Sequence, residues 1–81
     1  MDDDLKPIAE ALDAILHDTS VPRNVRATVQ RAKEKLEQTE DRGTGISGAV
    51  YALEEISNDI NMPMHARTMV WNLLSELESM K

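Results

Sequence analysis

Between Asp4 and His17 the apolar residues Leu5, Ile8, Ala9, Leu12, Ile15 and Leu16 return every three or four positions, a spacing that lines one face of an α-helix. Three acids precede this segment and suit the positive end of a helix dipole, and Pro7 is tolerated because it falls in the first turn. His17 falls in the last turn, where a cationic ring would be favoured. After a turn over Asp18–Val21, Pro22 presets the backbone for a second helix running to about Gln38, capped by Ser20 or Val21. Its apolar set is a narrow seam, Val25, Val29, Ala32 and Leu36, spaced 4-3-4. A third helix carries Ile46, Ala49, Val50, Leu53 and Ile56 on one face, and Thr44 is the expected cap. Gly45 and Gly48 near its start each cost roughly 1 kcal/mol against Ala and permit close helix approach. A second turn, 58–62, leads to Pro63 and a fourth helix ending near Met80. That helix has a core stripe of Ala66, Met69, Val70, Leu73, Leu77 and Met80. It also has a second apolar stripe, Met64, Trp71 and Leu74.

The two halves repeat. Sliding the first by forty-one positions superimposes Ala11 on Ala52, Leu12 on Leu53, Ile15 on Ile56, Asp18 on Asp59, Pro22 on Pro63, Arg26 on Arg67, Val29 on Val70, Leu36 on Leu77 and Glu37 on Glu78. Matched core positions and a matched Asp–Pro–Arg turn predict two copies of one helical hairpin, about 4–38 and 45–80, joined by a linker over 39–44 within a single domain of 81 residues. A period near forty is that of helical-hairpin repeats, and the turn resembles that of HEAT repeats, so two HEAT-like repeats are the alternative arrangement. Two copies fall short of the three or so a solenoid needs, and short connections favour antiparallel neighbours. The expected fold is therefore all-α, an antiparallel four-helix bundle made of two duplicated hairpins.

Composition narrows what such a bundle does. At this length folding hides only about 60–65% of the unfolded surface, so the core is thin, and the absence of Cys removes both disulfide staples and thiolate chemistry. Oligomerisation is one ordinary remedy for a thin core. With no Phe, one Tyr and one Trp, that core must be aliphatic. The longest apolar run is far below the ~20 residues of a membrane span, and the acidic start is unlike a signal peptide, so a cytoplasmic location is expected. The net charge of −6 divides evenly, −3 in residues 1–40 and −3 in 41–81, and a chain this acidic repels nucleic acid at long range. Only the second helix concentrates bases: Arg23, Arg26, Arg31, Lys33 and Lys35.

Candidate chemistry is sparse. Asp18 with Arg26, and Asp59 with Arg67, are read with Pro22 and Pro63 as turn-fixing ion pairs, each Asp at a helix end facing an Arg one turn into the next helix. His65 beside Asp59 invites a metal or acid–base reading, but the repeated position holds Asn24, which fits capping and turn packing better. The spacing patterns of zinc hydrolases, phosphate-binding loops and serine hydrolases are absent, so no catalytic, metal or cofactor site is expected. Arg23, Arg31, Lys33 and Lys35 form a candidate basic face, without interleaved aromatics to stack bases. Met64, Trp71 and Leu74 form a candidate interface, because Trp and Met are enriched at interface cores. The competing reading of that stripe is burial between the first and third helices.

The segments Val21-Pro22-Arg23-Asn24, Ser57-Asn58-Asp59 through Met62-Pro63-Met64-His65-Ala66-Arg67-Thr68, and the closing Leu74-Ser75-Glu76-Leu77-Glu78-Ser79 resemble a family of short archaeal proteins grouped as an uncharacterised protein family. The resemblance spans nearly the whole chain and implies a compact helical bundle of the archaeal cytoplasm. It brings no activity and no site residues. The function expected is a non-enzymatic module that binds a protein partner or itself. The alternative is a nucleic-acid- or ribosome-associated factor using the basic face of the second helix.

Overall fold

The computed structural model describes residues 2–38 and 40–81. Among them are a single 3-10 turn, Asp3–Leu5, and four helices: α1 (Lys6–Leu16), α2 (Arg23–Gln38), α3 (Arg42–Ile56) and α4 (Met64–Ser79). No strand occurs among the described residues. The expected first helix is thus split into a tight turn that buries Leu5 and an α-helix with Pro7 in its first turn. At the far end of α1 the His17 amide and ring Nδ1 both reach the Asp13 carbonyl, at 3.1 and 2.8 Å. The Asp13 carbonyl thus takes both the closing helical bond and the ring, which fastens the last turn.

α2 and α4 begin alike. Their first helical bonds run from the Arg26 amide to the Pro22 carbonyl and from the Arg67 amide to the Pro63 carbonyl, both 3.0 Å. Each proline therefore stands just outside its helix, which starts one residue later than the expected Pro22 or Pro63. The larger correction is at α3. Asp41, not Thr44, is the cap: its carboxylate accepts the Thr44 amide at 3.3 Å, and helix runs from Arg42 through both Gly43 and Gly45. A capped start stabilises a first turn that two glycines weaken. The linker expected over 39–44 therefore ends at Asp41. Thr39, its expected first residue, lies outside the described residues.

Helices adjacent in sequence pack together, and α4 returns against α1. The most extensive contact is α2 with α3, and Gly48 lies against it. A Cβ at that position would lie 3.2 Å from Cγ and Cδ of Lys35. The longest dimension is 33 Å against 20 and 18 Å. A 16-residue helix is about 24 Å long, so the helices lie side by side with a turn's thickness at each end. Leu12, Val25, Val29, Ala32, Ala49, Leu53, Val70 and Leu77 are completely hidden between them, an aliphatic core like the one composition demands.

Candidate functional site

The turns joining α1 to α2 and α3 to α4 share their internal bonding. In the first, Asp18 accepts the Val21 amide on its carbonyl, and its carboxylate Oδ1 takes the Ser20 amide at 2.9 Å together with the Ser20 hydroxyl. In the second, Asp59 accepts the Met62 amide on its carbonyl and the Asn61 amide on its Oδ1, at 2.8 Å. These are Asx turns, in which a short carboxylate holds the amide two residues ahead. Val21 and Met62, each just before the proline, are buried and anchor the turns to the core.

This bonding corrects the expected Asp–Arg ion pairs. Among the described residues neither Asp18 with Arg26 nor Asp59 with Arg67 is a salt bridge. Arg67 instead donates from Nη2 to the backbone carbonyl of Asp59 at 2.8 Å. The physical reason is competition: each carboxylate is engaged by its own turn. The Nε atoms of Arg26 and Arg67 are both buried without a partner.

The second oxygen of each Asp reaches across to the other turn. Asp18 Oδ2 lies 2.6 Å from His65 Nε2 at the start of α4, and Asp59 Oδ2 accepts from Asn24 Nδ2 at 3.4 Å at the start of α2. His65 and Asn24 are forty-one positions apart, as are the two aspartates. The Ser20 hydroxyl, the His65 ring and the Ser20 amide together hold the Asp18 carboxyl down at about 2. Chemically this is a clasp. A nucleophilic hydroxyl would have to face the imidazole, whereas Ser20 and His65 both converge on the same carboxylate. Among the described residues no group of three or more His, Cys, Asp or Glu could hold a metal ion.

At the opposite end Arg42 bonds Asp4 through both Nη atoms, at 2.8 and 2.6 Å, and Asp2 at 2.8 Å. The guanidinium lowers the Asp4 carboxyl, and the two carboxylates, Asp4 foremost, raise Arg42 above its ordinary value. This brace between the chain start and α3 went unread in the sequence, where the acids were assigned to the dipole of α1.

The candidate basic residues of α2 do not all share a face: Arg31 and Lys35, four residues apart, line one surface depression, and Lys33 leaves them. Lys33 turns toward α1 and pairs with Asp13 at 2.8 Å, which raises the lysine and lowers the carboxyl. Arg31 turns toward α3, pairing with Glu55 at 3.2 Å and with the Thr28 hydroxyl at 3.0 Å. Arg23 and Lys35 are exposed. Cations close in sequence are thus divided between two flanks of the helix, half of them neutralised.

The candidate interface residues lie together on α4. Ala66, Val70, Leu73 and Leu77 form its buried stripe, and Met64 and Trp71 emerge on the far side, 65% and 48% exposed. Burial between α1 and α3 is therefore not their fate. Leu74 is half-buried at the edge of the core. Two further exposed apolar residues, Tyr51 on α3 and Ile60 in the second turn, were not singled out in the sequence, because Ile60 sits outside any periodic segment and Tyr51 off the apolar face of α3.

Fold and surface define a small all-helical protein with a polar clasp between turns at one end and an apolar stripe exposed on its last helix. The chain belongs to the uncharacterised protein family UPF0147, which it matches over residues 1–80. It is similar to the UPF0147 protein of Archaeoglobus fulgidus, 50% identical over 74 residues that cover 91% of this chain and 85% of that one. A second relative, from Methanocaldococcus jannaschii, is 49% identical over 78 residues, 95% of this chain and 84% of its own. Among solved structures, the unknown-function protein MMP1188 superimposes with a TM-score of 0.91 at 44% identity, over 98% of this chain and 91% of that chain. A UPF0147 protein from Thermoplasma acidophilum superimposes with a TM-score of 0.86 at 32% identity, over 95% and 92%. Among the described residues no helix is long and apolar enough to cross a membrane.

Proposed function

We propose that the protein is a non-enzymatic, cytoplasmic protein-binding module, built as two copies of one helical hairpin closed into an antiparallel four-helix bundle, with the outer face of α4 as its contact surface. The bundle reading is supported by the ring of contacts from α1 through α4 and back, where HEAT-like stacking would instead pair α1 with α3 and α2 with α4. The duplication is supported by turn hydrogen bonds that recur at the forty-one-residue offset: Ile15 carbonyl to Asp18 amide and Ile56 carbonyl to Asp59 amide, both 3.1 Å, besides those already described.

The observation that carries the functional reading is the exposure of Trp71 and Met64 on the side of α4 away from its buried stripe. Large apolar side chains left in water together on one helix favour a role in binding. Affinity capture from native lysate, with and without nuclease, tests it. Wild type should retain a set of proteins that a Trp71→Ser/Met64→Ser double variant loses. Equal retention by the two would overturn the reading, and loss of every partner on nuclease treatment would turn it toward nucleic acid.

A further inference from the structure

We propose that the outer face of α4 pairs with the same face of a second copy of the chain in antiparallel orientation, making the protein a twofold-symmetric homodimer. This rests on reading that face as a binding surface and names its occupant.

Met64, Arg67, Trp71, Leu74 and Glu78 follow one another at spacings of three, four, three and four. That is the spacing of a coiled-coil seam, and it is separate from the stripe of Ala66, Val70, Leu73 and Leu77 that α4 buries in its own core. Met64, Trp71 and Glu78 are exposed, and Arg67 and Leu74 are half-buried. The seam is charged at two points of opposite sign, Arg67 toward its start and Glu78 toward its end.

Those charges choose the orientation. In a parallel pair, twofold symmetry would set Arg67 against Arg67 and Glu78 against Glu78, and like charges across an interface are strongly disfavoured. Antiparallel pairing centred between Trp71 and Leu74 sets Arg67 against Glu78 of the second copy, twice. The same register stacks Trp71 on Leu74 of the second copy, also twice. Two apolar layers are then bracketed by two ion pairs. The bond from Nη2 to the Asp59 carbonyl uses one of the five guanidinium hydrogens of Arg67 and the buried Nε holds a second, which leaves the remaining Nη hydrogens to meet Glu78 of the second copy. One helix pair makes a small interface, so association is reversible and concentration-dependent.

Sedimentation velocity of the full chain across a concentration series tests the pairing, with Glu78→Arg and Trp71→Ser variants. Wild type should pass reversibly from monomer to dimer, and Glu78→Arg, at an exposed position, should weaken the dimer by about tenfold or more. Raising the salt concentration should recover much of the Glu78→Arg dimer, because its defect is repulsion between like charges; a Glu78→Arg dimer equally weak at high salt would overturn the charge pairing. Wild type monomeric at every concentration would overturn self-pairing and leave the binding face to the capture experiment. A dimer lost with Trp71→Ser but indifferent to Glu78→Arg would overturn the antiparallel register. A dimer indifferent to both changes would overturn self-pairing through this face.

Discussion

Replacing Arg67 by Ala removes the bond that holds the second turn to α4, and its cost can be worked from the contacts. The guanidinium donates to the Asp59 carbonyl at 2.8 Å in a part-buried setting, and hydrogen bonds from charged groups contribute about 1.5–3 kcal/mol. The side-chain stem, half-covered by the fold, adds about 1 kcal/mol of lost burial. Against this, the Arg67 Nε is buried with no partner, and removing it returns about 1–2 kcal/mol of desolvation cost. The balance is a loss of about 2 kcal/mol, which for a domain of this size lowers the melting temperature by roughly 8–16 °C. Arg31→Ala is the control. Its pair with Glu55 leaves the two side chains 58% and 45% exposed, and exposed pairs contribute only about 0.2–1 kcal/mol. Arg26→Ala makes a second control, since that Arg occupies the repeated position without a carbonyl bond and should cost less than Arg67→Ala. Thermal melts followed by circular dichroism, at low protein concentration so that self-pairing does not contribute, check the order. Equal losses for Arg67→Ala and Arg31→Ala would refute the reasoning.

The Asp18 carboxyl lies at about 2 in the folded chain against an ordinary 3.8, so its contribution is fully present above about pH 4 and is lost as pH falls toward 2. Wild type should therefore lose stability in acid more steeply than Asp18→Asn, and parallel pH–stability curves in that window would contradict the clasp. Gly48→Ala should raise stability by somewhat less than about 1 kcal/mol in urea titrations, because the helix gains and the crowded atoms belong to the flexible stem of the exposed Lys35, which can swing aside. A destabilised variant would mean that the approach of α2 to α3 cannot relax.

How much was legible in the sequence depends on how far each interaction reaches along the chain. The four helices and most of the core were readable because three–four spacing is local, and residues such as Leu12 and Leu53, placed in the core by periodicity alone, are completely hidden. The start of α3 lies earlier than the sequence suggests, because Gly43 and the lack of periodicity over 39–44 read as a linker. Asp41, a strong capping type three residues before Thr44, was the signal that outweighs them. In the turns the repeated Asp and Arg were found but their partners were not. The pattern suggests opposite charges meeting, whereas an Asx turn takes the carboxylate first and leaves Arg67 the carbonyl.

Longer contacts left no trace at sequence level. The His65–Asp18 clasp spans 47 positions and Arg42–Asp4 spans 38, and neither follows from composition or spacing. Lys33 leaves the expected basic face for a geometric reason. Arg31 and Lys33 are neighbours in sequence, but two residues turn a helix through about 200°, which sends one to Glu55 and the other to Asp13. The same periodicity read on α4 kept Met64 and Trp71 together, since seven residues are nearly two whole turns.

The most specific claim of the account is that a second copy of the chain covers the outer face of α4. Trp71 is the single tryptophan of the chain, so its fluorescence reports that face without labelling. Across a dilution series of the full chain, the account predicts emission at shorter wavelength when concentrated and a shift to longer wavelength on dilution, with the midpoint at which the mass halves. Emission fixed at the wavelength of a solvent-exposed indole at every concentration would contradict it.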